Sequence, residues 1–142
     1  AINRDLGDKA RVSVLLNNLA NIARNQGDLD RARALFLQCL SLAQELGKTL
    51  AVIDVISGLA GILAAQGQPE QAAQLLGAVH ALHEVLGAGF EPSGQQDFDR
   101  HVAATQAALG PEGFARAWAA GRSLIVDSAL DLALRGAQQL RA

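Results

Sequence analysis

The chain has 142 residues, half of them hydrophobic, and a formal charge of −2, which gives one domain's length, apolar mass for a core, and no concentrated basic surface for non-specific nucleic-acid binding. Abundant Ala and Leu, with four Phe, one Trp and no Tyr, favour helix over sheet. The single cysteine, Cys39, excludes an intramolecular disulfide and a thiolate zinc cluster, which suits a reducing cytoplasm.

Residues 1–7 close on Leu6-Gly7 and read as the tail of a preceding repeat in a longer protein; their charges leave no apolar signal-peptide core. The next stretch, near Asp8–Gln26, predicts a helix with Leu16, Leu19, Ala20 and Ala23 on one face. Gly27 stops it, because glycine reaches the left-handed conformation cheaply. Asp28 is placed to cap a second helix near Leu29–Leu46, with Ala32, Leu35, Phe36, Cys39 and Leu42 inward. A third helix spans Thr49–Gln66 and contains the most hydrophobic stretch, Leu50–Ala65. That stretch falls short of the roughly 20 apolar residues of a membrane span and holds Asp54, so it reads as a helix packed between two neighbours.

Gly67 makes another stop, and Pro69 with Glu70 opens a fourth helix, Pro69–Leu86. Beyond the looser Gly87–Pro92, Ser93 with Gln96 forms a capping-box pattern for a helix ending near Leu109. Gly110-Pro111 divides it from a short helix, Pro111–Gly121, on which Phe114 and Trp118 are expected to seal the end of the core beside Ala117. A last helix near Val126–Leu140 carries Ala129, Leu130, Ala133 and Leu134 as its stripe.

The chain repeats itself. A shift of 40 aligns Leu19 with Leu59, Ala20 with Ala60, Ile22 with Ile62, Gln26-Gly27 with Gln66-Gly67, Ala32 with Ala72, Leu35 with Leu75, and Leu46-Gly47 with Leu86-Gly87. Leu6-Gly7 stands 40 before Leu46-Gly47. Each unit has the punctuation of a helical hairpin, giving repeats at 8–47 and 48–87, an atypical hairpin at 93–122 and a capping helix at 126–140, all in a single domain, 1–142. Terminal units depart from the template because they face water on one side.

Leu16, Leu19, Ala20, Gly27, Asp28, Ala32, Phe36, Cys39 and Leu42 resemble the tetratricopeptide-repeat signature, as do Leu59, Ala60, Gly67, Ala72, Leu76 and Val79. Ala23 and Leu63 replace the usual aromatic, the closing proline is missing, and the period of 40 exceeds the usual ~34. The resemblance implies an all-α fold, a short right-handed α–α superhelix of about three hairpins with a C-terminal capping helix. The "NNLANIARNQGDLDRAR" unit and the closing "LGPEGFARAWAAGRSLIVDSALDLAL" are also similar to the C-terminal helical region of large bacterial LuxR-type and antibiotic-regulatory-type transcriptional regulators. No residue here matches the DNA-binding or nucleotide-binding parts of such proteins.

No phosphate loop or nucleophile elbow is present, so the chain reads as non-catalytic, and no cofactor is expected. His80 and His83 stand three apart on one helix, with His101 as the remaining histidine, too few for a structural metal site. Cys39 reads as a buried inert thiol. The informative residues are on the first helix of each hairpin, whose free face lines the concave groove in this architecture. Asn17, Asn21 and Arg24 share one helix face. Their counterparts are small, Ser57, Gly61 and Ala64, with Asp54 one turn earlier. Amide groups beside a small-residue floor suit an extended peptide or helix, because Asn bonds a backbone on both edges. The expected partner is a protein, a peptide or another part of the same polypeptide, in the cytoplasm, with neither nucleic acid nor membrane bound directly. Alternatives are a small-molecule inducer site over Ser57, Gly61, Ala64 and Ala65, or a spacer that self-associates as a homodimer.

Overall fold

The structure is a computed structural model that describes residues 2–139, except for the side chains of residues 2–4, 6, 93 and 137–139. Six helices follow in order: α1 (Ile2–Asn25), α2 (Leu29–Glu45), α3 (Thr49–Ala65), α4 (Pro69–Leu86), α5 (Pro92–Arg122) and α6 (Val126–Gln139). The turns after the first four are one device used four times. Gly27, Gly47, Gly67 and Gly87 stand 20 residues apart with φ between 64° and 85°, where a Cβ would be strained. After α1 the amide of Asp28 reaches the Ala23 carbonyl at 2.9 Å and that of Gly27 reaches Arg24 at 3.0 Å. Lys48 with Gly47, Gln68 with Gly67 and Ala88 with Gly87 repeat this pair of bonds. Each is a Schellman closure, which satisfies the last carbonyls of one helix while reversing the chain.

Starts are less uniform. The Asp28 carboxylate accepts the Arg31 amide at 3.2 Å at the head of α2, whereas Pro69 sits in the first turn of α4 and Gln68 supplies no side-chain bond. At α5 the structure corrects the sequence reading: Glu91 is the N-cap and Pro92 the first helical residue, so the helix opens ahead of Ser93, whose side chain lies outside the described residues. Proline's fixed φ is pre-set for that position. Residues 1–7 were expected as the tail of a preceding repeat, but from Ile2 onward the backbone is the start of α1, and Gly7 lacks the positive φ of the other turns. The expected end of the last helix at Leu140 lies outside the described residues.

The chain divides into two compact units, Ala1–Gly58 and Leu59–Ala142. In the first, α1 packs on α2, with Ala20, Ala23, Ala32 and Ala43 at 0–3% exposure and Phe36 fully buried. The Phe36 ring also seats on Gly58 of α3, where a Cβ would collide with it. Cys39 is buried here, its thiol donating to the Ser13 carbonyl at 3.3 Å. Lys9 and Glu45 tie α1 to α2 at the surface, where solvent screens the pair. Leu19, expected inward, is 45% exposed.

In the second unit α4 is gripped by α5 and α6. Gly110, at φ 73° and ψ 168°, breaks α5 into two arms before Pro111. Phe98 and Trp118, one on each arm, have centroids 6.2 Å apart, although 20 residues of straight helix would separate them by about 30 Å. The chain therefore folds back at Gly110. The contact between α4 and the second arm is backbone on backbone. A Cβ at Gly77 would strike the Trp118 carbonyl, and one at Gly121 the Gln74 carbonyl.

These contacts set a measurable ranking. Gly121→Ala is expected to destabilise the chain by about 2–3 kcal/mol, because backbone cannot move aside as a side-chain tip can. Gly113→Ala, whose Cβ would meet only Leu109 at 3.4 Å, is expected to be neutral or slightly stabilising. Urea unfolding of both variants tests this, and equal losses would contradict the packing.

Candidate functional site

Asn17 and Asn21 project from α1 half-buried, while Arg24, one turn on, is 6% exposed. The Asn21 amide donates to the Asn17 backbone carbonyl at 3.0 Å, which turns the Asn21 side chain back along the helix. The Asn17 carboxamide oxygen is buried and accepts no hydrogen bond from the protein. Arg24 reaches the Asn25 side-chain oxygen at 3.4 Å. On α3, Asp54 is half-buried, Ser57 is 6% exposed and Gly61 is buried; Gly61 falls in the second unit and the others in the first. Thus Asn17, Asn21 and Asp54 keep contact with solvent, and Arg24, Ser57 and Gly61 are enclosed. Ala64 is half-buried and Ala65 exposed. Burial holds the Cys39 thiol above its ordinary value, offset in part by the Ser13 hydrogen bond, and the Asp54 charge adds to the rise.

A second polar cluster, which sequence reasoning did not assemble, lies in the other unit. Arg122 Nη1 donates to Glu84 Oε1 at 2.8 Å and lies 2.7 Å from His80 Nδ1, itself 2.9 Å from Glu84. The hydrogen bond and charge of Arg122 hold the Glu84 carboxyl below its usual range. Beneath, His83 is 9% exposed and stacks edge-on against Phe90 at 4.5 Å. These histidines and Glu84, with Gly87, Ala88, Gly89 and Gln95, line a cleft of about 440 Å³. The partners are 38 and 42 positions apart and no motif links them. Among the described residues no three His, Cys, Asp or Glu side chains gather as a metal ion requires, and no helix is long and apolar enough to cross a membrane.

Helical hairpins closed by left-handed glycines at a fixed interval define an all-α repeat protein. The chain belongs to the tetratricopeptide-repeat family: the family profile described as "Tetratricopeptide repeat" matches residues 11–84. It is also similar to provisionally named HTH-type transcriptional regulators of Mycobacterium bovis and of two Mycobacterium tuberculosis strains, at 31% identity over 131 residues, covering 87% of this chain and 14% of each relative. The chain therefore spans about a seventh of the length of these curated relatives. No solved structure gives a significant match.

Two titrating groups give direct tests. Burial first, and the His80 charge second, lower the His83 pKa below its ordinary 6.5. The folded chain then binds fewer protons than the unfolded one. The resulting stability is present above pH 6.5 and lost as pH falls toward the folded pKa. The thermal midpoint is expected to drop between about pH 7 and pH 5. His83→Gln should flatten that slope, and an unchanged slope would remove His83 as its source. Cys39 should resist a thiol reagent in the native chain at neutral pH and react fully once the chain is unfolded in denaturant.

Proposed function

We propose that this chain is a non-catalytic interaction and sensor module of a larger transcriptional regulator, and that an extended peptide or partner segment docks on the polar face of α1. The tetratricopeptide repeat is an interaction repeat, and proteins named as transcriptional regulators share 31% identity with the chain. The observation that carries the placement is the Asn17 carboxamide oxygen, buried without a protein donor beside the half-buried Asn21. An acceptor left in that state costs about 1–3 kcal/mol, which an incoming backbone N–H recovers once the half-buried Asn17 side chain rotates to present its oxygen. Arg24 and Ser57 are enclosed, so in this reading they do not reach the ligand.

A small-molecule sensor is the second reading. In its favour is the open cleft of about 440 Å³ beside His80, His83 and Gln95, whose polar groups converge on one side. A compound that raises the melting temperature of the natural chain but not of Gly89→Trp, which fills the cleft mouth, would move the site there.

The peptide reading is tested by titrating the chain against a library of short extended peptides. Asn17→Ala and Asn21→Ala should each weaken the best binders about tenfold, the equivalent of one buried hydrogen bond. The melting temperature should stay close to that of the natural chain. Binding that survives both changes would remove α1 as the docking face.

A further inference from the structure

His83 is 9% exposed, and its ring nitrogens have no hydrogen-bond partner among the described residues. Neither nitrogen is among the fully enclosed polar atoms, so both open on the cleft that His83 lines. The ring is held there. Phe90 meets it edge-on at 4.5 Å, and Phe90 in turn lies 5.3 Å from Phe98, which is buried. A buried polar group is normally hydrogen-bonded, and an exception on a cleft wall calls for a partner that enters the cleft. Burial keeps the ring neutral at pH 7, so it offers one donor and one acceptor.

The other walls narrow the chemistry. The Gln95 side-chain nitrogen donates to Asp99 at 2.9 Å. A carboxylate only accepts, so this contact fixes the amide and leaves the Gln95 carbonyl oxygen as a spare acceptor. Glu84 lines the cleft with its charge already balanced by Arg122 at 2.8 Å, and no lysine or arginine is among the lining residues. An anion would therefore lie against a carboxylate with no cation to meet it, and a cation would find that carboxylate paired. A neutral ligand meets neither cost. Gly87, Ala88 and Gly89 complete the lining with little side-chain bulk, so a ligand can approach the backbone closely.

We propose that this cleft takes a neutral small molecule that combines N–H donors with a hydrogen-bond acceptor, such as a carboxamide or an amino-substituted nitrogen heterocycle. Its N–H groups meet the Gln95 carbonyl oxygen, and it completes the hydrogen bonding of His83. The proposal rests on the small-molecule reading of the same cleft and adds the class of ligand. It is independent of peptide docking on α1, which lies in the other unit.

The test compares three probes with the same ring size by NMR: nicotinamide, benzoate and benzylamine, each titrated into the 142-residue chain. Nicotinamide is expected to shift the His83 ring and Gln95 side-chain resonances and to bind at least tenfold more tightly than either charged probe. His83→Phe keeps a ring against Phe90 but has no nitrogens, and should weaken nicotinamide about tenfold, the equivalent of one buried hydrogen bond. Gln95→Ala, at an exposed position, should weaken it too, and decides the matter if His83→Phe does not fold. Nicotinamide binding that survives the substitutions overturns the proposal. If benzoate or benzylamine is the tighter probe at the same resonances, the neutral class is wrong and the cleft stands as a ligand site. If no probe moves those resonances, the proposal falls along with the small-molecule reading.

Discussion

The left-handed glycine is the constraint on which the rest of this structure depends. A helix cannot reverse direction without leaving carbonyls unsatisfied at its end, and Gly27, Gly47, Gly67 and Gly87 meet that need with the same two hydrogen bonds. Because the closure is local, it fixes where each helix stops before any tertiary contact forms. Between successive glycines helix length follows from the spacing of 20, and α2, α3 and α4 come out at 17, 17 and 18 residues. The alanine-rich contact between α1 and α2 then needs only the right faces to meet. The tight backbone approaches of Gly77 and Gly121 in the second unit place two further glycines where space, not conformation, demands them.

Much of this was legible in the sequence, since glycine stops and a 40-residue self-match are written in residue identity and position. The Asp28 cap and the break at Gly110 were legible for the same reason: each is a local effect of one residue type. Where the sequence reading slipped, competing local signals were near balance. Ser93 with Gln96 resembles a capping box, but Pro92 one position earlier already has the backbone of a first helical residue. Leu6-Gly7 matches the other turn pairs, but a glycine in a helical run turns only if something rewards the turn, and α1 continues through it. Periodicity also assigned Leu19 to the core beside Ala20. It marks an apolar face and is silent on whether a neighbour covers it.

The candidate site divides along the same line. Helical spacing puts Asn17, Asn21 and Arg24 on one face of α1, because angular position on a helix is arithmetic. Depth could not be read in that way. Arg24 has the composition of a surface residue and is buried, and Ser57 likewise is closed. The His80–Glu84–Arg122 cluster was out of reach because it depends on α5 folding back at Gly110 to return Arg122 to α4. Contacts across a reversal are set by tertiary geometry, and no spacing rule encodes them.

The uniform turn has a genetic consequence. All four closures use the same short pattern, so an in-frame duplication of 40 codons inserts a whole hairpin with its turns intact and the two helix roles in order. A duplication of 20 codons would also keep every turn, yet it would put two first helices side by side and mismatch their faces. Arrays of this kind can therefore grow by copying in one increment and not in its half. Copies made by that route start out fitting their neighbours, and divergence such as Asn18 against Gly58 then distinguishes one unit from the next.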